Sequence, residues 1–113
     1  MKNDIDGINS LFVDYDEVQE VQILFSTEKS AYNLKLILKC NINEIFTNVL
    51  LVNFYNIKFL NIQNSGNNFT QWAGLHIRKR DDGWEYCNYE VIQIEEEDVS
   101  FSFYSFDYEI ISV

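Results

Sequence analysis

The single histidine, His76, and the two cysteines, Cys40 and Cys87, are the residues with which this chain could run nucleophilic chemistry. A thiol or hydroxyl becomes a strong nucleophile beside a base, so a Cys–His pair would have to form in three dimensions. No local signature marks such a pair. His76 stands between Leu75 and Ile77 as a strand residue would, and the cysteines lack C-x-x-C spacing. A structural or surface histidine is expected. A glycosidase needs two carboxylates across a cleft, but 18 acids make any one pair uninformative. Nothing singles out one of them as buried with a raised pKa. "DIDG", residues 4–7, carries a fragment of the EF-hand calcium spacing without the rest. The contiguous acids of "EEED", residues 95–98, would point in different directions on a strand or turn. The four glycines are scattered, so no phosphate-cradling loop is present. No cofactor, no metal and no enzymatic activity are expected.

What remains is surface chemistry. Arg78, Lys79 and Arg80 form the one basic cluster, flanked by Trp72 and Trp84, which superficially suits single-stranded nucleic acid. Asp81 and Asp82 follow at once, and the net charge is −10, from 8 bases and 18 acids. Phosphate binding runs on clustered Lys and Arg, so this balance disfavours nucleic acid and anionic membranes and favours a basic partner. Acids beside exposed aromatics are how one protein grips a basic one: the charges steer the encounter and the rings anchor it. The candidate partner contacts are Asp81, Asp82 and Glu85 with Trp84, and Glu95, Glu96, Glu97 and Asp98 with Tyr104 and Tyr108. The competing reading puts Trp84, Phe101, Phe103 and Phe106 in the core, with the acids alone outside.

The elements that position these residues are mostly strands. In "YNLKLILKCNI", Tyr32, Leu34, Leu36, Leu38, Cys40 and Ile42 alternate with a face carrying Lys35 and Lys39, the period of a half-buried strand. "VQEVQILFS" puts Val21, Ile23 and Phe25 on one face, and "TEKSA" reads as the hairpin turn between the two. "TNVLLVNFYNIKFLNIQ" is apolar on both sides with a bend at Asn56, which predicts a central or bulged strand. "QNSGNN" is a loop, "FTQWAGLHIRKR" a strand, "DDG" a tight turn and "WEYCNYEVIQI" another strand. In the final stretch, Val99, Phe101 and Phe103 occupy odd positions, whereas Tyr104, Phe106, Tyr108 and Ile110 occupy even ones. Either a bulge restores the phase or aromatics face both ways. "NSLFVDYDEVQE" suggests a short helix capped by Ser10, with Leu11 and Phe12 facing the core.

The fold class expected is mainly β, an antiparallel sheet or sandwich of about seven or eight strands with one short N-terminal helix. No Pro-rich or Gly/Ser-rich linker divides residues 1–113, so a single domain is expected. The start "MKNDIDGINSLF" lacks the apolar run of a signal peptide, and no segment is long and apolar enough to span a bilayer. A cytoplasmic protein is the expectation.

The run from "VLLVNFYNIKFLNIQ" to "DYEI" resembles small acidic immunity proteins of bacterial polymorphic and contact-dependent toxin systems. The residues that carry the resemblance are Phe54, Asn56, Ile57, Leu60, Gly74, Leu75, Trp84, Tyr89, Val91, Glu95 and Phe101. It covers roughly the C-terminal two-thirds of the chain and is mostly a core pattern. It implies a non-enzymatic antitoxin that binds and neutralises one cognate bacterial toxin, a basic RNase or DNase being the natural partner for an acidic inhibitor. The alternatives are a small ligand-binding β-domain or enzyme with a carboxylate-lined cleft, and an adaptor that self-associates through an edge strand.

Overall fold

The structure, a computed structural model, describes residues 1–40, 48–62, 72–81, 88–93 and 99–112. Helix α1 (Ile5–Asp14) is followed by β1 (Tyr15–Ser26), β2 (Ala31–Cys40), β3 (Asn48–Ile62), β4 (Leu75–Lys79), β5 (Tyr89–Gln93), β6 (Val99–Phe103) and β7 (Ser105–Ser112). The fold is mainly β, as the sequence predicts. The seven strands form one sheet in the order β1-β2-β3-β6-β5-β4, and β7 also pairs with β3. Every ladder is antiparallel.

The helix begins earlier than Ser10. Asp4 is its N-cap, in extended backbone, and its carboxylate accepts the Gly7 N–H at 2.9 Å. Ser10 therefore lies inside α1 and caps nothing, and Tyr15–Ser26 is already strand rather than helix. Ile8 and Phe12, one turn apart, are the buried residues of α1. They join a single core cluster with Leu34, Leu36, Leu38, Leu50, Val52 and Phe54 from one half of the sheet and Ile77, Val91, Phe101 and Phe103 from the other. Each such side chain contributes about 1.5–3 kcal/mol by leaving water. The alternation expected for β2 holds at Leu34, Leu36 and Leu38, while Tyr32 at its start is exposed and Cys40 at its end is half-buried and free.

β3 spans both halves of the sheet. Residues 48–55 pair with β7, and residues 58–62 pair with β6. Lys58 lies opposite Ser102 and Tyr55 opposite Ser105, so counting inward from both pairs places Asn56 level with Tyr104. Asn56 has φ 57°, and Tyr104 is the bend between β6 and β7. Both chains thus kink at one level, and both exchange faces there. On β3 the buried residues change from Leu50, Val52 and Phe54 to Ile57. On the partner chain they change from Phe103 to Phe106 and Tyr108. The Asn33 side chain on β2 holds the same level by accepting the Asn56 N–H at 3.0 Å, where the β2–β3 register slips by one residue. Tyr104 N–H donates to the Tyr55 carbonyl at 3.0 Å. The phase change is therefore absorbed by a bend, and Phe101, Phe103, Phe106 and Tyr108 all face inward.

β4 starts later than expected. Trp72 to Gly74 lie outside it, and Gly74 turns the chain with φ 76°, a region that glycine enters freely. Trp72 is buried in the core, so it is not a stacking platform beside the basic cluster. β4 and β5 pair antiparallel, with Leu75 opposite Gln93 and Lys79 opposite Tyr89, and the turn expected at "DDG" lies mostly outside the described residues. Buried Gln93 joins the ends of β5 and β6 by accepting the Val99 N–H at 2.9 Å and donating to the Ala73 carbonyl at 3.0 Å.

Three strands lie at sheet margins, and each margin is treated differently. At β4, the Asn9 side chain on α1 donates to the Ile77 carbonyl and accepts the Ile77 N–H, at 2.9 and 2.8 Å, so an amide group stands in for a missing strand. At β7, Lys2 makes a two-bond bridge with Tyr108. At β1, the Asp16 carbonyl accepts the Trp72 N–H at 2.8 Å. Among the described residues, β1 pairs with no strand other than β2.

Candidate partner-binding surface

Of the proposed contact residues, Asp81, Tyr104 and Tyr108 are described; Asp82, Trp84, Glu85, Glu95, Glu96, Glu97 and Asp98 lie outside the described residues. Asp81 is exposed beyond the end of β4. Tyr104 is 45% exposed at the bend, with its carbonyl accepting from the Asn88 side chain at 3.2 Å. Tyr108 must be removed from the contact set. It is 3% exposed, and its hydroxyl donates to Asp4 Oδ1 at 2.7 Å. The kink turns Tyr108 inward, and the helix cap supplies the partner that a buried phenol needs.

That cap is a tight cluster. The bonded phenol holds the Asp4 carboxyl below its ordinary value, chiefly through the Tyr108 hydrogen bond. Burial, and then the Asp4 hydrogen bond, push the Tyr108 phenol up to about 12. A Cβ on Gly7 would come within 2.2 Å of both Asp4 Oδ2 and the Tyr108 hydroxyl oxygen, so glycine is required for this approach. A second polar group lies on the face of β3 and β7 away from the core. Asp107 accepts from Asn53 at 2.9 Å and from the Tyr55 hydroxyl at 2.7 Å. Burial, reinforced by Asp107, pushes the Tyr55 phenol up to about 12.

The basic cluster is used within the sheet. Lys58, Ser102, Glu90 and Arg78 follow one another across β3, β6, β5 and β4 in direct register, so their side chains share one face. Arg78 pairs with Glu90, and Arg80 donates to the Ser102 hydroxyl. A hollow of about 290 Å³ opens here between Phe59, Arg80, Glu90, Ser100 and Ser102. The bases are thus interleaved with an acid and hydroxyls rather than gathered into a stripe for phosphates. His76 is half-buried on the same sheet opposite Ile92, and Cys87 lies outside the described residues. Among the described residues, no group of three or more His, Cys, Asp or Glu side chains comes together. A groove of about 520 Å³ between α1 and β7 is lined by Lys2, Asp4, Ser10, Leu11, Tyr108 and Glu109.

Among the described residues, a run of exposed apolar side chains lies at the β1–β2 hairpin. Ile23, Leu24, Phe25 and Tyr32 are all exposed there, Phe25 by 54%, and the rings of Phe25 and Tyr32 meet at 5.0 Å. Ile23 and Phe25 share the face of Leu34 and Tyr32, so they prolong the core face past the point where anything covers it. Sequence alternation identifies their common face correctly. It does not show that β1 is outermost, and that position is what leaves them exposed. The same strand carries Asp16, Glu17 and Glu20 and no base. Asp16 is 7% exposed, and among the described residues its Oδ1 has no hydrogen-bond partner.

No helix among the described residues is long and apolar enough to cross a membrane. Compared with protein-family models, curated proteins and solved structures, the chain matches none.

Proposed function

We propose that this chain is an immunity protein: a non-enzymatic antitoxin that binds one cognate, basic toxin domain and neutralises it by protein–protein contact. The observation that carries the reading is the pairing of an exposed apolar hairpin, Ile23, Leu24, Phe25 and Tyr32, with a net charge of −10. Apolar anchors set in an acidic field suit a basic protein surface, because the field speeds encounter and the anchors slow release. The sequence resemblance points to the same class, and a nuclease-type toxin would supply the basic surface. Cytoplasmic residence belongs to this proposal, since an immunity protein acts in the cell that makes its toxin.

The test is to examine the reading frames beside this gene for a basic toxin domain and to co-express that domain with this chain. Growth should be protected, and the two proteins should co-purify. Replacing Glu95, Glu96 and Glu97 together with Ala should lower the association rate at low salt by about tenfold or more. A triple variant that associates and protects like the wild type would remove the acidic run from the docking surface.

The α1–β7 groove favours a second reading, a small ligand-binding domain with a carboxylate-lined cleft. Its two carboxylates, Asp4 and Glu109, are both exposed, and Asp4 is already engaged by Gly7 and Tyr108. A binding cleft is better served by buried, convergent groups, so the inhibitor reading is preferred.

A further inference from the structure

We propose that the outer edge of β1, over residues 20–26, is a strand-addition site for an extended, amphipathic, basic segment of a partner protein. The inference rests on the proposed function for the partner's charge, and on the sheet's margins for the place. Two of the three margins are closed by the chain itself, through Asn9 at β4 and Lys2 at β7. The third is engaged at Asp16 and, among the described residues, extends for ten further positions without a second strand.

An open edge invites pairing with other chains, and proteins blunt it with Lys, Pro, bulges or shortness. β1 is 12 residues long and contains neither Lys nor Pro. Both of its register shifts fall before Glu20. From Glu20 to Ser26 the pairing with β2 is unbroken, from Glu20 opposite Ile37 to Ser26 opposite Ala31. This regular stretch is about 23 Å long at about 3.3 Å per residue. It is also the stretch whose apolar side chains are exposed on both faces, Ile23 and Phe25 on the core side and Leu24 on the other.

The side chains specify the incoming strand. Its residues beside Ile23 and Phe25 must be apolar, since they would extend the core face. On the other face, Glu20 lies across from Ile37, with Lys35 and Lys39 only on the diagonals, so a Lys or Arg of the incoming strand would meet Glu20 directly from its outer side. Alternation of apolar and basic residues meets both demands, and main-chain hydrogen bonds to the open edge supply affinity. A second copy of this chain fits less well. Each copy brings a net charge of −10, and β1 carries acids without bases.

The experiment is amide hydrogen exchange on the intact, isotope-labelled protein at low salt. The probe is a capped peptide of alternating Lys and Val as long as the open stretch. Two controls accompany it: an alternating Glu–Val peptide, and the Lys–Val peptide with a central Pro. The Lys–Val peptide should slow exchange of the outward-facing amides within residues 20–26 by about tenfold or more, and neither control should do so. Ile23→Lys combined with Phe25→Lys should abolish the slowing, with the β1–β2 ladder still protected. Equal slowing by the Pro peptide would mean charge alone, and no slowing would mean no strand addition; either overturns the proposal. Slowing that grows with protein concentration without peptide would assign the edge to a second copy, which also overturns it. The double variant separates this inference from the antitoxin reading. Unchanged toxin neutralisation would sink strand addition and leave the antitoxin standing. Peptide-induced protection in a chain that binds no toxin would do the reverse.

Discussion

At the scale of single residues, most of the chemistry is committed to holding the fold. Asp4 caps α1 and accepts the Tyr108 phenol, so Asp4→Ala should lower the urea midpoint. Gly7→Ala should cost at least as much, because its methyl group would displace both partners. The linked titrations predict two pH limits. Tyr55 and Tyr108 ionise near 12 in the folded chain, above their ordinary value of 10.0. Their contribution is complete below about 10 and should be lost as pH rises through about 12. Tyr55→Phe and Tyr108→Phe should each remove one late step from the phenolate absorbance titration. Asp4 is shifted the other way, so its contribution holds above its ordinary 3.8 and fades as pH falls through the depressed folded value. Asp16 runs against this pattern, being buried with an oxygen to which none of the described residues donates.

At the scale of elements, the kink shared by β3 and the β6–β7 chain organises the sheet. Asn56 tolerates its left-handed backbone better than a branched residue could. Asn56→Val should therefore destabilise by about 2 kcal/mol or more, and Asn56→Gly by far less. Asn33→Ala removes the acceptor of the Asn56 N–H and should cost about 1–2 kcal/mol by thermal denaturation. Much of this was legible in the sequence. The odd-to-even change at Phe103 and Tyr104 requires a break, and Asn56 is a residue type that accepts one. What alternation alone could not show is that the two breaks lie side by side, because that depends on register between segments far apart. The same limit explains two misplacements. Tyr108 reads as a surface ring until Asp4 is known to reach it, and the helix start at Asp4 depends on that long-range bond as much as on local capping. For the hairpin residues Ile23 and Phe25, periodicity reports a shared face and carries no information about which strand lies outermost. Of the candidate site, Asp81 and Tyr104 are exposed as required, and the apolar hairpin is the addition that needed the sheet order.

At the scale of the whole molecule, charge and topology set its behaviour. A net charge of −10 repels itself in the compact state, so added salt should raise the melting temperature modestly while weakening any basic partner. Measuring both on one salt series would separate the two effects, since they have opposite signs. The N-terminal segment has a further consequence, for the moment of synthesis. Residues 2–9 shut two sheet margins, yet Lys2 and Asp4 bond Tyr108, and Asn9 bonds Ile77, 68 positions along the chain. A ribosome makes each half of this clasp well before the residue that it latches to. Until β7 emerges, residues 48–55 of β3 lack the strand that pairs with them, and closure over such separations is slow. The growing chain is therefore most prone to stick to its neighbours before Tyr108 has been made, which makes its folding yield, more than its final stability, the property that a faulty clasp would damage.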